Sequence, residues 1–202
     1  MAFETYLRSK ETFVFGLDNV IYPVKDYHLQ IYYLFSGFME HTEMMNAKSL
    51  LDFMQLTYAT EGETGIFEKT AGAFNIDFKY KENFDRLFET ARLPLKLLPY
   101  QQVLTFLQAI VTERKPVYLL APGDPQVQLN KIKQLEWYGL ESYLKVYFTD
   151  EIAEMPSAAI FEFLQQENGF KAEDTLYVGN ALSAQQLAQH AGIEFLPVYK
   201  LL

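Results

Sequence analysis

The stretch Phe13-Val-Phe-Gly-Leu-Asp-Asn-Val-Ile-Tyr-Pro23 decides the fold of this chain. Its first part, Phe13–Leu17, is a short apolar run, which predicts a buried strand. The run gives way to Asp18-Asn19, so the strand delivers a carboxylate at its carboxyl end. In open sheets of parallel strands, ligands bind in a crevice outside these ends. The stretch therefore predicts an α/β protein whose candidate site includes Asp18.

Beyond this stretch the sequence pattern is first helical and then alternates between strands and helices. From residue 24 to residue 95, apolar side chains such as Ile31, Phe35 and Phe38 recur at helical spacing, which predicts amphipathic helices. Later apolar runs, separated by helical segments, predict further strands at 116–121, 145–149, 175–179 and 194–199. Repeated strand–helix units of this length predict a parallel sheet.

The domain organisation follows from this order of patterns. Residues 1–23 and 96–202 predict a Rossmann-like α/β core, and residues 24–95 predict an all-α subdomain inserted after the first strand. The prolines of Leu93–Pro99 interrupt any helix there and mark the end of the insertion. Within the core, Asp124–Tyr138 predicts an amphipathic helix that Gly139 closes.

The composition excludes several classes of function. The 202 residues are 50% hydrophobic, which is typical of a globular chain with a sizeable core. A formal net charge of −9 argues against binding to nucleic acids or anionic membranes. The absence of cysteine excludes disulfides, thiol nucleophiles and thiolate metal sites. The sequence has no apolar run of about 18 residues and no signal-peptide pattern, so we expect a cytoplasmic protein without membrane contact.

The opening stretch resembles the first motif of the haloacid dehalogenase-like (HAD) phosphohydrolases, Asp-x-Asp-x-Thr/Val after an apolar strand. It is most similar to the variant Asp-x-Asp-Asn-Thr-Leu-Tyr-Pro of the pyrimidine 5′-nucleotidase group. The resemblance covers nearly the whole chain and implies that the helical insertion is a cap on the core. In the family the first Asp is the nucleophile and the second is the general acid/base. In this chain those positions hold Gly16 and Asp18.

The resemblance also implies a reaction, which is phosphoryl transfer to an Asp carboxylate with the help of Mg²⁺. The family's other motifs supply a hydroxyl, a lysine and further acidic residues. The matching segments here are Ala121-Pro122-Gly123, Met155-Pro156 and Gly179-Asn180. They keep the turn residues but replace the hydroxyl, the lysine and the metal-binding carboxylate. Asp18 is therefore the one catalytic-motif residue that the chain retains, as a vestige.

These replacements predict a non-catalytic, HAD-like pseudo-phosphatase with no resident metal. We expect it to bind a small molecule between the cap and the core, or a protein partner. The aromatic residues of the cap, including Tyr27, Tyr32 and Tyr33, are also compatible with a homo-oligomer. The residues expected to line the crevice beside Asp18 are Gly16, Asn19, Ala121, Pro122, Gly123, Met155, Gly179 and Asn180.

The alternative is a weak or divergent phosphatase or nucleotidase that uses Mg²⁺ at a relocated site. Such a site would combine Asp18 with Asp150-Glu151, which follow the third predicted strand. The simpler interpretation of this acidic pair is a solvated strand end or a capping carboxylate. We expect another side chain, such as Met155, to fill the space beside Gly16.

Other polar residues of the helical regions predict no separate site. His28, His41 and His190 lie too far apart in sequence to suggest a metal site, and His28 is expected on a helix surface. Lys131 and Lys133 are expected on a solvated helix face.

Overall fold

The computed structural model describes residues 3–202. Its helices are α1 (Glu4–Ser9), α2 (Lys25–Glu43), α3 (Ala47–Glu61), α4 (Ile66–Phe74), α5 (Lys81–Thr90), α6 (Gln101–Thr112), α7 (Pro125–Gln134), α8 (Ala158–Asn168) and α9 (Leu182–His190). Its strands are β1 (Thr12–Gly16), β2 (Val117–Ala121), β3 (Leu144–Phe148), β4 (Thr175–Gly179) and β5 (Glu194–Pro197). No helix among these residues is long and apolar enough to cross a membrane.

The described chain divides into two compact units. The α/β unit comprises the described residues up to Val24, together with Leu97–Gln128 and Leu135–Leu202. The helical unit comprises Lys25–Lys96 and Leu129–Gln134. The insertion predicted at 24–95 thus corresponds to a unit that also takes in the second half of α7.

The α/β unit is built on a five-stranded parallel sheet with the order β3-β2-β1-β4-β5. Every residue of β1, β2 and β4 is buried. Burial on both faces requires a continuous apolar run rather than an alternating pattern, as the sequence of β1 indicates. The predicted α/β fold with a parallel sheet is confirmed.

Helices pack on the two faces of β1 through alternate residues. On one face, Val14 belongs to a buried cluster with Phe161 of α8 and Leu187 of α9. On the other face, Phe13 and Phe15 lie edge-on to Phe106 of α6, with ring centroids 5.5 and 5.7 Å away. The central strand is thereby fixed in the sheet by packing on both sides.

The prediction of a helix at 124–138 is wrong at the C-terminal end, because α7 ends at Gln134. Leu135 forms an isolated parallel bridge with Leu97, and the Glu136 N–H donates to the Leu97 carbonyl at 2.9 Å. Gly139 does not end this helix. It lies in a turn after Tyr138, where Tyr138 has a φ of 52° and Gly139 a φ of 85°. The short helix α1 was not predicted, because its 6 residues are too few to show a period.

The core of the helical unit is aromatic. Phe35, Phe67 and Phe84 contact one another, with ring centroids 5.0 to 5.9 Å apart. Such pairs stabilise a core beyond the area that they bury. Tyr32 of α2 is also buried, whereas Tyr33 is 57% exposed. Much of the aromatic surface of α2 is therefore used inside its own unit.

His28 of α2 is buried rather than on the helix surface, so that expectation was wrong. Its Nε2 lies 3.1 Å from Oε2 of Glu63, and its Nδ1 lies 3.3 Å from the hydroxyl of Tyr32. Its ring packs against Tyr58 and Phe88. The hydrogen bond from His28 lowers the pKa of the Glu63 carboxyl below its ordinary value of 4.5. The pair joins α2 to the segment between α3 and α4.

Lys131 of α7 is likewise buried, so the expected solvated face was wrong at this position. Its Nζ lies 5.4 Å from the centre of the Tyr27 ring, which is a cation–π contact. Its charge also contributes to lowering the pKa of the Glu63 carboxyl. The ammonium group therefore belongs to the interior of the helical unit.

Gly179 at the end of β4 has no room for a side chain. A Cβ there would lie 2.8 Å from Cε2 of Phe195 and 3.0 Å from Cβ of Ala184. We expect Gly179→Ala to lower the free energy of unfolding by about 1–3 kcal/mol through overpacking. Urea unfolding measures this through the transition midpoint.

The matched control is Gly72→Ala on the exposed side of α4, where a Cβ meets nothing within 4 Å. Replacing a glycine inside a helix should stabilise the protein by up to about 1 kcal/mol. Equal midpoints for the two variants would show that β4 has space beside Gly179.

The pair of His28 and Glu63 predicts a pH dependence. Because folding lowers the pKa of Glu63, its ionised carboxylate stabilises the protein above pH 4.5, and this contribution is lost as the pH falls through the folded pKa. The difference in unfolding free energy between wild type and Glu63→Gln should shrink as the pH falls below about 4.5. Urea unfolding at a series of pH values measures it. Glu89→Gln, on the exposed end of α5, is the control and should show no such trend.

Candidate functional site

The candidate site lies at the carboxyl ends of the central strands. Gly16, Ala121 and Gly179 are the last residues of β1, β2 and β4, which are neighbours in the sheet. Because the strands are parallel, these ends lie at one edge, where α/β proteins place their ligands. The structure thus brings the corresponding sequence positions together within the α/β unit.

Gly16 lies beside Val20 rather than Met155. A Cβ on Gly16 would lie 3.2 Å from Cγ2 of Val20. Outside Val20, its nearest neighbour would be the carbonyl oxygen of Val178, at 3.9 Å. Met155 instead packs against the buried cluster of α8 and α9 and precedes a cis peptide bond to Pro156. The expectation that Met155 fills the space beside Gly16 was therefore wrong.

Asp18 is half-buried and accepts a hydrogen bond at each carboxylate oxygen. The hydroxyl of the buried Tyr22 donates to Oδ1 at 2.9 Å, and Nε2 of Gln128 donates to Oδ2 at 3.3 Å. The same Nε2 donates to the carbonyl of Pro122 at 2.5 Å. Asp18 thus links the turn after β1 to α7 and to the end of β2.

Asn19 shapes the turn after β1. Its backbone has a φ of 56°, in the left-handed region that asparagine tolerates better than most residues. Its N–H donates to the Tyr22 carbonyl at 2.9 Å, and its Oδ1 accepts from the Val24 N–H at 3.0 Å. Both its side chain and its backbone therefore serve the turn that positions Asp18.

Gln128 is a site residue that the sequence did not reveal. Its side chain is buried, and both acceptors of its Nε2 lie at the strand edge. Its Oε1 is buried and, within residues 3–202, has no hydrogen-bond partner. A buried acceptor in this state is a place where a donor from a ligand or water is expected. Nothing in a helix pattern singles out one glutamine, so only its contacts identify it.

Asp150 holds two loops together. Its Oδ1 accepts from the Gly123 N–H at 3.0 Å and from the Thr149 hydroxyl at 3.2 Å. Gly123 has a φ of 99°, which a residue with a Cβ rarely adopts. This geometry favours the capping interpretation of Asp150 over a relocated metal site. Glu151, its neighbour, is exposed.

The residues at this edge do not fit the magnesium site that the family resemblance implies. Mg²⁺ is held in proteins mainly by carboxylate oxygens, water and substrate phosphate. Gly16 has no carboxylate, Asn180 offers an exposed amide, and Asp18 already accepts two hydrogen bonds. Across residues 3–202, no group of three or more His, Asp or Glu side chains is placed to hold a metal ion.

Comparison with known proteins finds similarity in structure alone. No protein-family model and no curated protein matches the sequence. A HAD phosphatase from Thermococcus onnurineus has a TM-score of 0.56 at 18% identity, over 92% of this chain and 84% of that one. An L-2-haloacid dehalogenase has a TM-score of 0.58 at 14% identity, over 93% of this chain and 85% of that one.

A third similar structure is YfnB from Bacillus subtilis, described as a HAD hydrolase and solved with bound magnesium. Its TM-score is 0.57 at 13% identity, over 92% of this chain and 87% of that chain. At such identities the likeness concerns the fold, and the closer resemblance to the pyrimidine 5′-nucleotidase group stays a prediction. The chain shares the fold of these HAD-type structures, as the sequence of its first strand predicted.

Proposed function

We propose that this chain is a non-catalytic HAD-fold protein, a pseudo-phosphatase that binds a small molecule at the strand edge. The observation that carries the proposal is Gly16 at the end of β1. The family reaction forms an aspartyl phosphate at this position, and a glycine offers no atom for that bond. The covalent route is therefore absent from this chain.

Asp18 does not replace the missing nucleophile. Its oxygens accept hydrogen bonds from Tyr22 and Gln128, which fix the carboxylate as part of the turn. The contacts thus support a structural role for a residue whose position resembles that of a catalytic acid.

The other replacements remove groups that would stabilise a phosphoryl group. Ala121 is buried and has no hydroxyl, and Met155 carries no charge where the family has lysine. Loss of one stabilising donor typically costs about 10²–10³-fold in rate. With both groups missing, the edge would neither hold a phosphate well nor offset its charge.

The amide of Gln128 supports a binding role. Its buried Oε1 is an acceptor without a partner within residues 3–202, and the nearby Asp18 carboxylate is negative. Such a pair favours ligands that carry N–H or O–H donors and disfavours anions. We therefore propose a neutral or cationic, donor-rich small molecule rather than a phosphate ester.

A protein partner or a second copy of the chain is the remaining proposal for binding. In α2, Tyr27 and Tyr32 are buried within the helical unit, and only Tyr33 of the three exposes more than half of its surface. The aromatic residues thus give less support to assembly than their number suggests.

A phosphatase assay tests the proposal. We expect wild-type protein with Mg²⁺ to hydrolyse p-nitrophenyl phosphate and nucleoside 5′-monophosphates no faster than the Asp18→Asn variant, because neither protein has a nucleophile. Product release is measured as phosphate, and Mg²⁺ binding is measured by titration calorimetry on both proteins. We expect no binding heat in either.

The same assay tests the alternative of a divergent phosphatase. Turnover that needs Mg²⁺ and disappears in both Asp18→Asn and Asp150→Asn would overturn the proposal. Turnover that survives both substitutions and is lost when the variants are purified further would point to a contaminating enzyme.

The structural role of Asp18 makes a separate prediction. Asp18→Ala removes the acceptor at 2.9 Å from the hydroxyl of the buried Tyr22. We expect a loss of about 1–3 kcal/mol in the free energy of unfolding, because a buried donor loses its partner. Asp52→Ala, which breaks an exposed pair with Lys48 on α3, is the control and should cost about 0.5 kcal/mol or less. Urea unfolding compares them, and equal losses would refute a structural role for Asp18.

A further inference from the structure

The helical unit contains an open pocket of about 540 Å³ with a cationic lining. Arg92 and Lys96 reach it from the segment after α5, and Lys133 reaches it from α7. Thr90 and Gln134 add polar groups, and none of the described carboxylates lines the pocket. The positive groups come from segments about 40 residues apart, so the fold and not the local sequence brings them together.

These three cations have no anionic partner among residues 3–202. Within residues 3–202, Arg92, Lys96 and Lys133 form no salt bridge, whereas Lys48, Lys69 and Lys81 of the same unit each pair with a carboxylate. The chain has 26 acidic and 17 basic residues. Because acidic residues are in excess, a group of cations with no acidic residue beside it is not what the composition alone predicts. Within the described residues, no ion pair offsets the repulsion between these like charges.

The segment that carries Arg92 is held in place by side-chain amides. Nδ2 of Asn130 and Nε2 of Gln134 donate to the Ala91 carbonyl at 3.1 and 3.2 Å. The Leu93 N–H donates to Oε1 of Gln134 at 3.4 Å.

Further along, the Leu95 N–H donates to Oε1 of Gln30 at 2.8 Å. Ala91 and Leu93 are buried while Arg92 between them is exposed, so the Arg92 side chain lies on the outer side of this segment. Anchored backbone of this kind lowers the cost of ordering on binding.

We propose that this pocket binds a small anion with two or more negative charges, of the phosphate-ester or diphosphate class. Arg92 supplies a planar fork that matches phosphate oxygens, and Lys96 and Lys133 supply point charges. The volume is that of a small-molecule site, and the polar lining disfavours an apolar ligand. No residue of the strand edge takes part, so this proposal stands apart from the function proposed for that edge.

Titration calorimetry with pyrophosphate in low salt, without divalent cations, tests the proposal. Wild-type protein should bind one pyrophosphate saturably, and added salt should weaken the binding because the contacts are ionic. The double variant Arg92→Gln, Lys133→Gln should bind at least about tenfold more weakly, since both charges face the anion. Each single variant should lie between the two.

The control is the double variant Lys171→Gln, Lys200→Gln, which removes the same net charge from exposed positions of the α/β unit. It should bind within about twofold of wild type, because distant charges are screened. Circular dichroism checks that all variants are folded. The proposal is overturned by absence of saturable binding up to about 10 mM pyrophosphate, a concentration that would reveal even a millimolar complex. It is equally overturned if the control weakens binding as much as the pocket variant.

Discussion

Burial of β1 on both faces is the constraint on which the rest of the structure depends. The strand lies between β2 and β4, and its phenylalanines pack on Phe106 while Val14 packs toward α8 and α9. The middle of a strand in this position must be apolar, so the polar residue that follows the apolar run marks the region where the strand has ended. That residue, Asp18, is consequently held at the sheet edge whether or not it has a chemical task.

The contacts of Asp18 give this residue a structural task that does not depend on any chemistry. The buried side chains of Tyr22 and Gln128 both donate to the Asp18 carboxylate. Removal of this acceptor would lower the stability of the protein, because buried donors would lose a hydrogen bond. Gly16, Ala121 and Met155 instead take part in packing, beside Val20, inside β2 and against the cluster of α8 and α9 respectively. The similar structures include a phosphatase and a dehalogenase, so the fold alone does not name a reaction. Function in this chain has to be argued from its own site.

Local sequence was sufficient for the parallel sheet, because each buried strand is an uninterrupted apolar run with a turn after it. It also located Gly16, Ala121 and Gly179 at strand ends. It failed where a contact distant in sequence decides the outcome: Leu97 pairs with Leu135 and thereby limits α7. The burial of His28 and Lys131 depends on Glu63 and Tyr27 in the same way. Polar residues are assigned to the surface by pattern, and only their partners show otherwise.

The grouping of Leu129–Gln134 with the helical unit bears on how modular this insertion is. Asn130 donates to the carbonyls of Phe88 and Ala91 and to the hydroxyl of Tyr27, all of which lie inside the inserted segment. A transplant of residues 25–96 into another protein would separate these groups from Asn130, which would stay behind on α7. The insertion is thus not an independent module. We expect its sequence and that of α7 to change together in evolution.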